Sequence, residues 1–117
     1  MQIRIYHNPR CSKSRQTLTL LQENGIEPEI IEYLKLPPSH QELDSLLRGL
    51  DMQPRELMRK GEAEFKDLQL ADESLDRNQL IAAMIAHPRL IERPIVVVGD
   101  SVALGRPPES VLEILPS

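Results

Sequence analysis

The sequence lacks any long hydrophobic run and any long run of one charge. Its apolar stretches, such as the one at 95–98, are far shorter than the ~20 residues that span a bilayer, and its N-terminal residues lack the apolar segment of a secretory signal. The 14 basic and 18 acidic side chains are interspersed, which argues against a nucleic-acid-binding stripe or a membrane-surface patch. We therefore expect a cytoplasmic protein that binds neither nucleic acid nor membrane.

Cysteine is almost absent, with one residue at Cys11. A single cysteine cannot form an internal disulfide, so its thiol is a packing group, a metal ligand or a reactive group. His7, His40 and His87 have no metal-ligand spacing relative to it, and we expect no metal. The polar neighbours of Cys11 argue against burial and favour a reactive thiol.

The first third of the chain predicts a strand, a helix and a second strand. Residues 2–6 alternate as in a short strand, and the turn residues at 7–9 end it. Apolar residues at helical spacing follow Ser12 as far as Asn24-Gly25, and residues 28–34 predict the next strand. Cys11 therefore lies where a loop joins the N-terminus of a helix.

The middle of the chain is predicted to be helical. Ser39 and Glu42 have the spacing of a capping box, and further helical segments start at Pro54 and Asp76. The last of these ends at His87-Pro88, because a proline disfavours helix at the residue before it. We expect this block, at about 39–88, to be an all-helical insertion.

The last part of the chain predicts two strands at 95–98 and 101–104, followed by a helix at 109–115. The length of 117 residues suits one domain, and no linker or repeat is visible. The sequence thus predicts a single α/β domain over residues 1–117. Its element order matches a thioredoxin-like βαβ…ββα core with a mixed four-stranded sheet and a helical insertion.

The surroundings of Cys11 favour its thiolate. A helix N-terminus presents free backbone N–H groups and the positive end of the helix dipole. Arg10, Lys13 and Arg15 add cationic side chains, and such neighbours lower a cysteine pKa from ~8.5 into the range ~3.5–7.5. We predict a reactive thiolate near pH 7.

The string Cys11-Ser12-Lys13-Ser14 keeps the spacing of the redox C-x-x-C motif but has serine in place of the second thiol. Ser14 either bonds the Cys11 sulfur or serves as a first-turn capping residue. The C-x-x-x-x-x-R loop of phosphatase-like enzymes is excluded, because Thr17 occupies the arginine position.

Four blocks of sequence together resemble the glutaredoxin-coupled arsenate reductase family. They are His7 to Arg15, Leu57 to Lys60, Glu92 to Val97 and Gly105 to Pro107. The resemblance implies a thioredoxin-like fold and an arsenate reductase in which Cys11 attacks arsenate. It further implies that Arg59, Arg93 and Arg106 bind the oxyanion, that His7 and Ser14 assist the thiolate, and that Pro94 corresponds to the cis-proline of thioredoxin folds.

Electron counting indicates an external reductant. Reduction of arsenate to arsenite takes two electrons, and one thiol supplies them only by becoming a mixed disulfide with another thiol. The family's route implies glutathione as co-substrate and glutaredoxin as partner, and we expect no bound cofactor and a monomer.

Two alternatives remain open. An Spx-type redox regulator shares this fold and acts without catalysis, although many such regulators carry a C-x-x-C switch that this chain lacks. An arsenate-reductase-like paralogue would act on another oxyanion or on a glutathione-linked disulfide. Ser12 and Lys13 favour this second alternative, because they differ from the Cys-Gly-Thr-Ser string of resistance enzymes.

Overall fold

The structure is a computed structural model that describes residues 2–116. The chain forms two compact units. One unit comprises the chain up to Leu36 together with the chain from Arg93 onward, and the other comprises residues 37–92. The second unit contains the predicted helical insertion. That residues 1–117 form a single domain stays a prediction.

The first unit contains a mixed four-stranded sheet. Its strands are β1 (Ile3–Tyr6), β2 (Glu29–Ile31), β3 (Ile95–Val98) and β4 (Ser101–Leu104), and their spatial order is β2-β1-β3-β4. Strand β1 is parallel to β2 and antiparallel to β3, which is antiparallel to β4. This topology confirms the predicted thioredoxin-like α/β class.

Strand β3 lies between two partners, and all four of its residues are buried. A continuous β-branched run suits such a position, because both faces of the strand are covered. Strand β2 is shorter than the predicted 28–34, since the chain turns after Ile31. The N–H groups of Lys35 and Leu36 both donate to the carbonyl of Glu32, at 2.9 and 3.0 Å.

Helix α1 (Ser12–Glu23) follows β1 and contributes Leu21 to the core of this unit. Gly25, at φ +77°, accommodates the left-handed turn that ends a helix. The predicted last helix is a 3₁₀ helix at Pro108–Ile114, and Val111 packs in the same core. Its first residue is a proline, whose missing N–H is tolerated only in the first turn.

The second unit contains three α-helices: α2 (His40–Leu50), α3 (Ala63–Asp67) and α4 (Arg77–Ala86). Ser39 and Glu42 form the predicted capping box at α2, and Asp76 and Gln79 form another at α4. Short 3₁₀ turns occur at Pro54–Leu57 and Pro88–Leu90. Across residues 2–116, no helix is long and apolar enough to cross a membrane.

Candidate active site

Cys11 is the N-cap residue of α1. Its backbone is extended, its N–H donates to the carbonyl of Asn8 at 3.0 Å, and its own carbonyl accepts from the Arg15 N–H at 3.0 Å. The turn over Pro9-Arg10 thus places the thiol at the start of the helix. The expectation of an exposed thiol is wrong, because Cys11 is 9% exposed and arginine side chains contact its sulfur.

The pKa of the Cys11 thiol lies below its ordinary value. Burial raises this pKa, since it disfavours the charged form. The Arg93 guanidinium, through hydrogen bonding and charge, and the backbone N–H groups of Ser14 and Lys13 lower it by more. Arg93 therefore contributes to the activation that the sequence attributed to Arg10, Lys13 and Arg15.

Arg106 lies against the same sulfur. Its Nη2 is 3.9 Å from Cys11 Sγ, and its Nε donates to the backbone carbonyl of Arg93 at 2.9 Å. The Gly105 N–H donates to the carbonyl of Pro94 at 2.9 Å. The two Arg-Pro segments therefore brace each other, and both Arg93-Pro94 and Arg106-Pro107 are cis peptides.

Arg93 has a buried donor without an acceptor. Among residues 2–116, no acceptor lies within hydrogen-bond distance of its Nε. A buried N–H group without an acceptor is costly, and native structures contain few of them. An anionic ligand at the sulfur would supply an acceptor for this arginine.

Ser14 is fully buried and connects the loop to α1. Its Oγ accepts the Asn8 N–H at 3.0 Å and lies 2.6 Å from His7 Nδ1. The hydroxyl is therefore bonded to His7, whereas the sulfur interacts with the backbone N–H of Ser14. Burial and Arg15 lower the pKa of His7, and together they outweigh Glu32, which raises it. His7 is thus neutral at pH 7.

Arg59 belongs to the other compact unit. Its Nη1 forms an ion pair with Glu62, and its Nε lies 3.4 Å from Oε1 of Glu92. The structure brings Cys11, Arg93 and Arg106 together. The predicted role of Arg59 in oxyanion binding stays a prediction.

Sequence reasoning missed the positions of Gly105 and Thr17. A Cβ atom on Gly105 would lie 2.6 Å from Thr17 Oγ1 and 2.7 Å from Pro94 Cγ. Thr17 is fully buried on α1, so Gly105 permits close contact between the helix and the turn that carries Arg106. A glycine directly after a strand and before an Arg-Pro pair was the available signal.

The arrangement provides an activated nucleophile beside two guanidinium groups. Guanidinium groups bind tetrahedral oxyanions with paired N–H donors and keep their charge at any physiological pH. Within residues 2–116, no three His, Cys, Asp or Glu side chains are grouped so that they could hold a metal ion. The chemistry that these residues offer is nucleophilic attack by sulfur on a bound anion.

Comparison with known proteins gives consistent matches. The model of the ArsC family matches residues 6–114. The chain is 56% identical over 115 residues to the uncharacterized protein YfgD of Escherichia coli (strain K12), covering 97% of each chain. It is 47% identical over 116 residues to an arsenate reductase of Haemophilus influenzae, covering 98% of this chain and 100% of that one. The solved structure of an arsenate reductase from Vibrio cholerae is 52% identical, with a TM-score of 0.95 and 98% of both chains covered.

Proposed function

Because the chain belongs to the ArsC family, we propose that it reduces arsenate to arsenite through Cys11, with glutathione and glutaredoxin as electron donors. The observation that carries the proposal is the contact of Cys11 Sγ with Arg106 Nη2 at 3.9 Å, together with Arg93, which lowers the thiol pKa. A thiolate with two adjacent guanidinium groups suits attack on an anionic electrophile.

In the first step, the Cys11 thiolate attacks arsenic. A sulfur–arsenic bond forms and one arsenate oxygen leaves as water after protonation. Arg93 and Arg106 offset the negative charge of the oxyanion, and the free Arg93 Nε is a donor that an arsenate oxygen would satisfy. In this proposal Arg59 contributes a third guanidinium.

In the second step, glutathione completes the reduction. Its thiolate attacks the Cys11 sulfur, a disulfide bond forms, and the electron pair of the sulfur–arsenic bond passes to arsenic, which leaves as arsenite. The single cysteine supports this route, because no second thiol of the chain can resolve the adduct. Glutaredoxin then takes the glutathione group and releases the Cys11 thiolate.

His7 and Ser14 position the nucleophile. Their hydrogen bond holds the loop before Cys11 against the first turn of α1, where the backbone N–H of Ser14 favours the thiolate. We place the reaction in the cytoplasm, where the glutathione pool keeps thiols reduced.

A second candidate is an arsenate-reductase-like enzyme for another oxyanion or a glutathione-linked disulfide. Two observations favour it. The 56% identical relative is uncharacterized, whereas the arsenate reductases compared are 43–52% identical. In addition, Ser12-Lys13 follows the nucleophile. The pairing of Cys11 with two arginines argues for an enzyme and against a purely regulatory protein.

The test is an arsenate reduction assay with glutathione and glutaredoxin supplied together and singly. We expect arsenite to form at a sustained rate only with both donors and only with Cys11 intact. Absence of arsenite with both donors, despite a reactive Cys11 thiolate, would reject arsenate as the substrate and favour the second candidate.

A further inference from the structure

A cleft of about 190 Å³ lies beside the loop that leads to the nucleophile. One wall consists of residues 7–10, which directly precede Cys11. The other wall consists of Glu32, Leu34 and Lys35 from the turn after β2. A ligand in this cleft would therefore lie next to the chain segment that positions the thiol.

The cleft is lined by two cationic side chains and one anionic one: Arg10, Lys35 and Glu32. His7 adds no charge, because burial lowers its pKa. The lining thus has a net charge of +1 in a chain whose net charge is −4.

The charges of the turn are available to a ligand. Lys35 Nζ lies 3.5 Å from Glu32 Oε1, but the two side chains are 81% and 44% exposed. Exposed ion pairs of this kind contribute little stability, so a ligand can replace either partner at small cost. Leu34, which is 39% exposed, adds an apolar contact to the same wall.

We propose that this cleft binds the charged ends of glutathione, an inference that rests on the proposed function. Glutathione has two carboxylates and one ammonium group, and Arg10, Lys35 and Glu32 offer two cations and one anion to match them. The cleft is smaller than the ~300 Å³ of ordinary small-molecule pockets, so it encloses only part of the tripeptide, and the exposed Lys35 and Glu32 side chains meet the rest at its edge. The cysteinyl thiol then extends past Arg10 to its sequence neighbour Cys11.

A reaction that needs no arsenate tests the site. The Cys11 thiolate attacks one sulfur of glutathione disulfide, the Cys11–glutathione bond forms, the original disulfide breaks, and a glutathione thiolate leaves. The same exchange with bis(2-hydroxyethyl) disulfide releases the thiolate of 2-mercaptoethanol. Because this disulfide has no charged groups of its own, its rate reports on the reactivity of the Cys11 thiol alone. The ratio of the two second-order rates measures recognition of the charged groups.

Lys35→Glu is the first variant, because its exposed side chain can change without affecting the core. We expect it to lower the rate with glutathione disulfide by roughly 3- to 10-fold, because the charge reversal replaces one exposed attraction by a repulsion. The rate with the uncharged disulfide should stay within about twofold of wild type, since distant exposed charges are screened. Arg10→Gln should also lower the ratio of the rate with glutathione disulfide to the rate with the uncharged disulfide.

Lys66→Glu is the matched control, since it makes the same charge change on an exposed residue of α3 in the other unit. We expect it to leave the ratio unchanged. An unchanged ratio in Lys35→Glu, an equal loss with both disulfides, or an equal effect of Lys66→Glu would overturn the proposed site. A chain that fails to reduce arsenate but shows the expected ratios would reject the proposed function and keep the glutathione site.

Discussion

The side chain of Arg106 is held by the backbone of Arg93. Its Nε donates to the Arg93 carbonyl at 2.9 Å, and this leaves Nη2 at 3.9 Å from Cys11 Sγ. The backbone carbonyl of Arg93 thus fixes the direction of the Arg106 side chain.

Replacing Arg93 or Arg106 by alanine should reduce oxyanion-dependent rates far more than stability. Loss of a charge-assisted contact typically costs ~1.5–3 kcal/mol, which is roughly one to two decades in rate if it is felt in the transition state. Lysine at either position should restore only part of the rate, because its point charge does not reproduce the planar guanidinium group. Steady-state kinetics and urea unfolding of each variant measure the two effects.

Arg48→Ala is the control for these variants, since the Arg48 side chain is 72% exposed and bonds Asp44 on the surface of α2. Arg77 is less suitable, because one of its guanidinium nitrogens is buried and Asp44 bonds another. Rates that fall equally in Arg48→Ala and Arg93→Ala would exclude a specific role for Arg93.

The rate at which Cys11 is alkylated should rise with pH around a midpoint below ~8.5, the ordinary cysteine pKa. Arg93→Ala should raise this midpoint, because it removes the side chain that stabilises the thiolate against the opposing effect of burial. Arg89→Ala, which removes a mostly exposed arginine paired with Glu62, should leave it unchanged. A midpoint at the ordinary value in the wild type would show that the site does not activate the thiol.

Protonation of His7 should destabilise the fold at low pH. Its folded pKa lies below the ordinary ~6.5, so the unfolded chain binds the proton more readily and stability falls as the pH drops from that value through the folded pKa. His7→Gln should lose less stability than wild type between pH 7 and pH 5, as measured by urea unfolding. A steeper loss of stability in His7→Gln than in wild type would contradict a lowered pKa of His7 in the folded protein.

Gly105→Ala should destabilise the protein by about 1–3 kcal/mol, the usual cost of overpacking. Its methyl group would lie 2.6 Å from Thr17 Oγ1, so the turn that carries Arg106 must move away from α1. Gly61→Ala is the control, because nothing lies within 4 Å of its added Cβ. Thermal unfolding compares the two variants, and similar melting temperatures would show that Gly105 is not tightly packed.

The enzyme should accumulate as a Cys11–glutathione mixed disulfide when arsenate and glutathione are present and glutaredoxin is withheld. The reason is the single cysteine, which leaves no internal thiol to displace glutathione. Mass spectrometry of the stalled enzyme identifies the adduct, and Cys11→Ser is the control that should show none. Sustained turnover with thioredoxin and its reductase in place of glutathione would contradict the one-thiol route.

The sequence predicted the parts of the fold that depend on local patterns. The Ser39–Glu42 capping box and the end of α4 before Pro88 are confirmed, since both depend on residues a few positions apart. The sequence predicted that β2 extends to residue 34, whereas the strand ends at Ile31. The apolar pattern continues beyond Ile31, but the backbone already turns at Glu32.

At the candidate active site, the sequence predicted the position of Cys11 in the fold but not the contacts of the residues around it. Cys11 was correctly placed at the start of α1, but the hydroxyl of Ser14 bonds His7, whereas its backbone N–H interacts with the sulfur. The bond between Arg106 and the Arg93 carbonyl joins segments distant in sequence. Side-chain periodicity carries no information about such contacts, because they follow from the pairing of β3 with β4.

That pairing has a consequence for how the site fluctuates. Ile95, which follows Arg93-Pro94, is paired directly with Leu104, which precedes Gly105-Arg106. Because β3 is hydrogen-bonded on both sides and fully buried, its amides should be among the slowest in the first unit to exchange with deuterium. The backbones of the two Arg-Pro segments therefore keep their separation until the sheet itself opens. In the proposed reaction, the anion would meet donors that need little reorganisation.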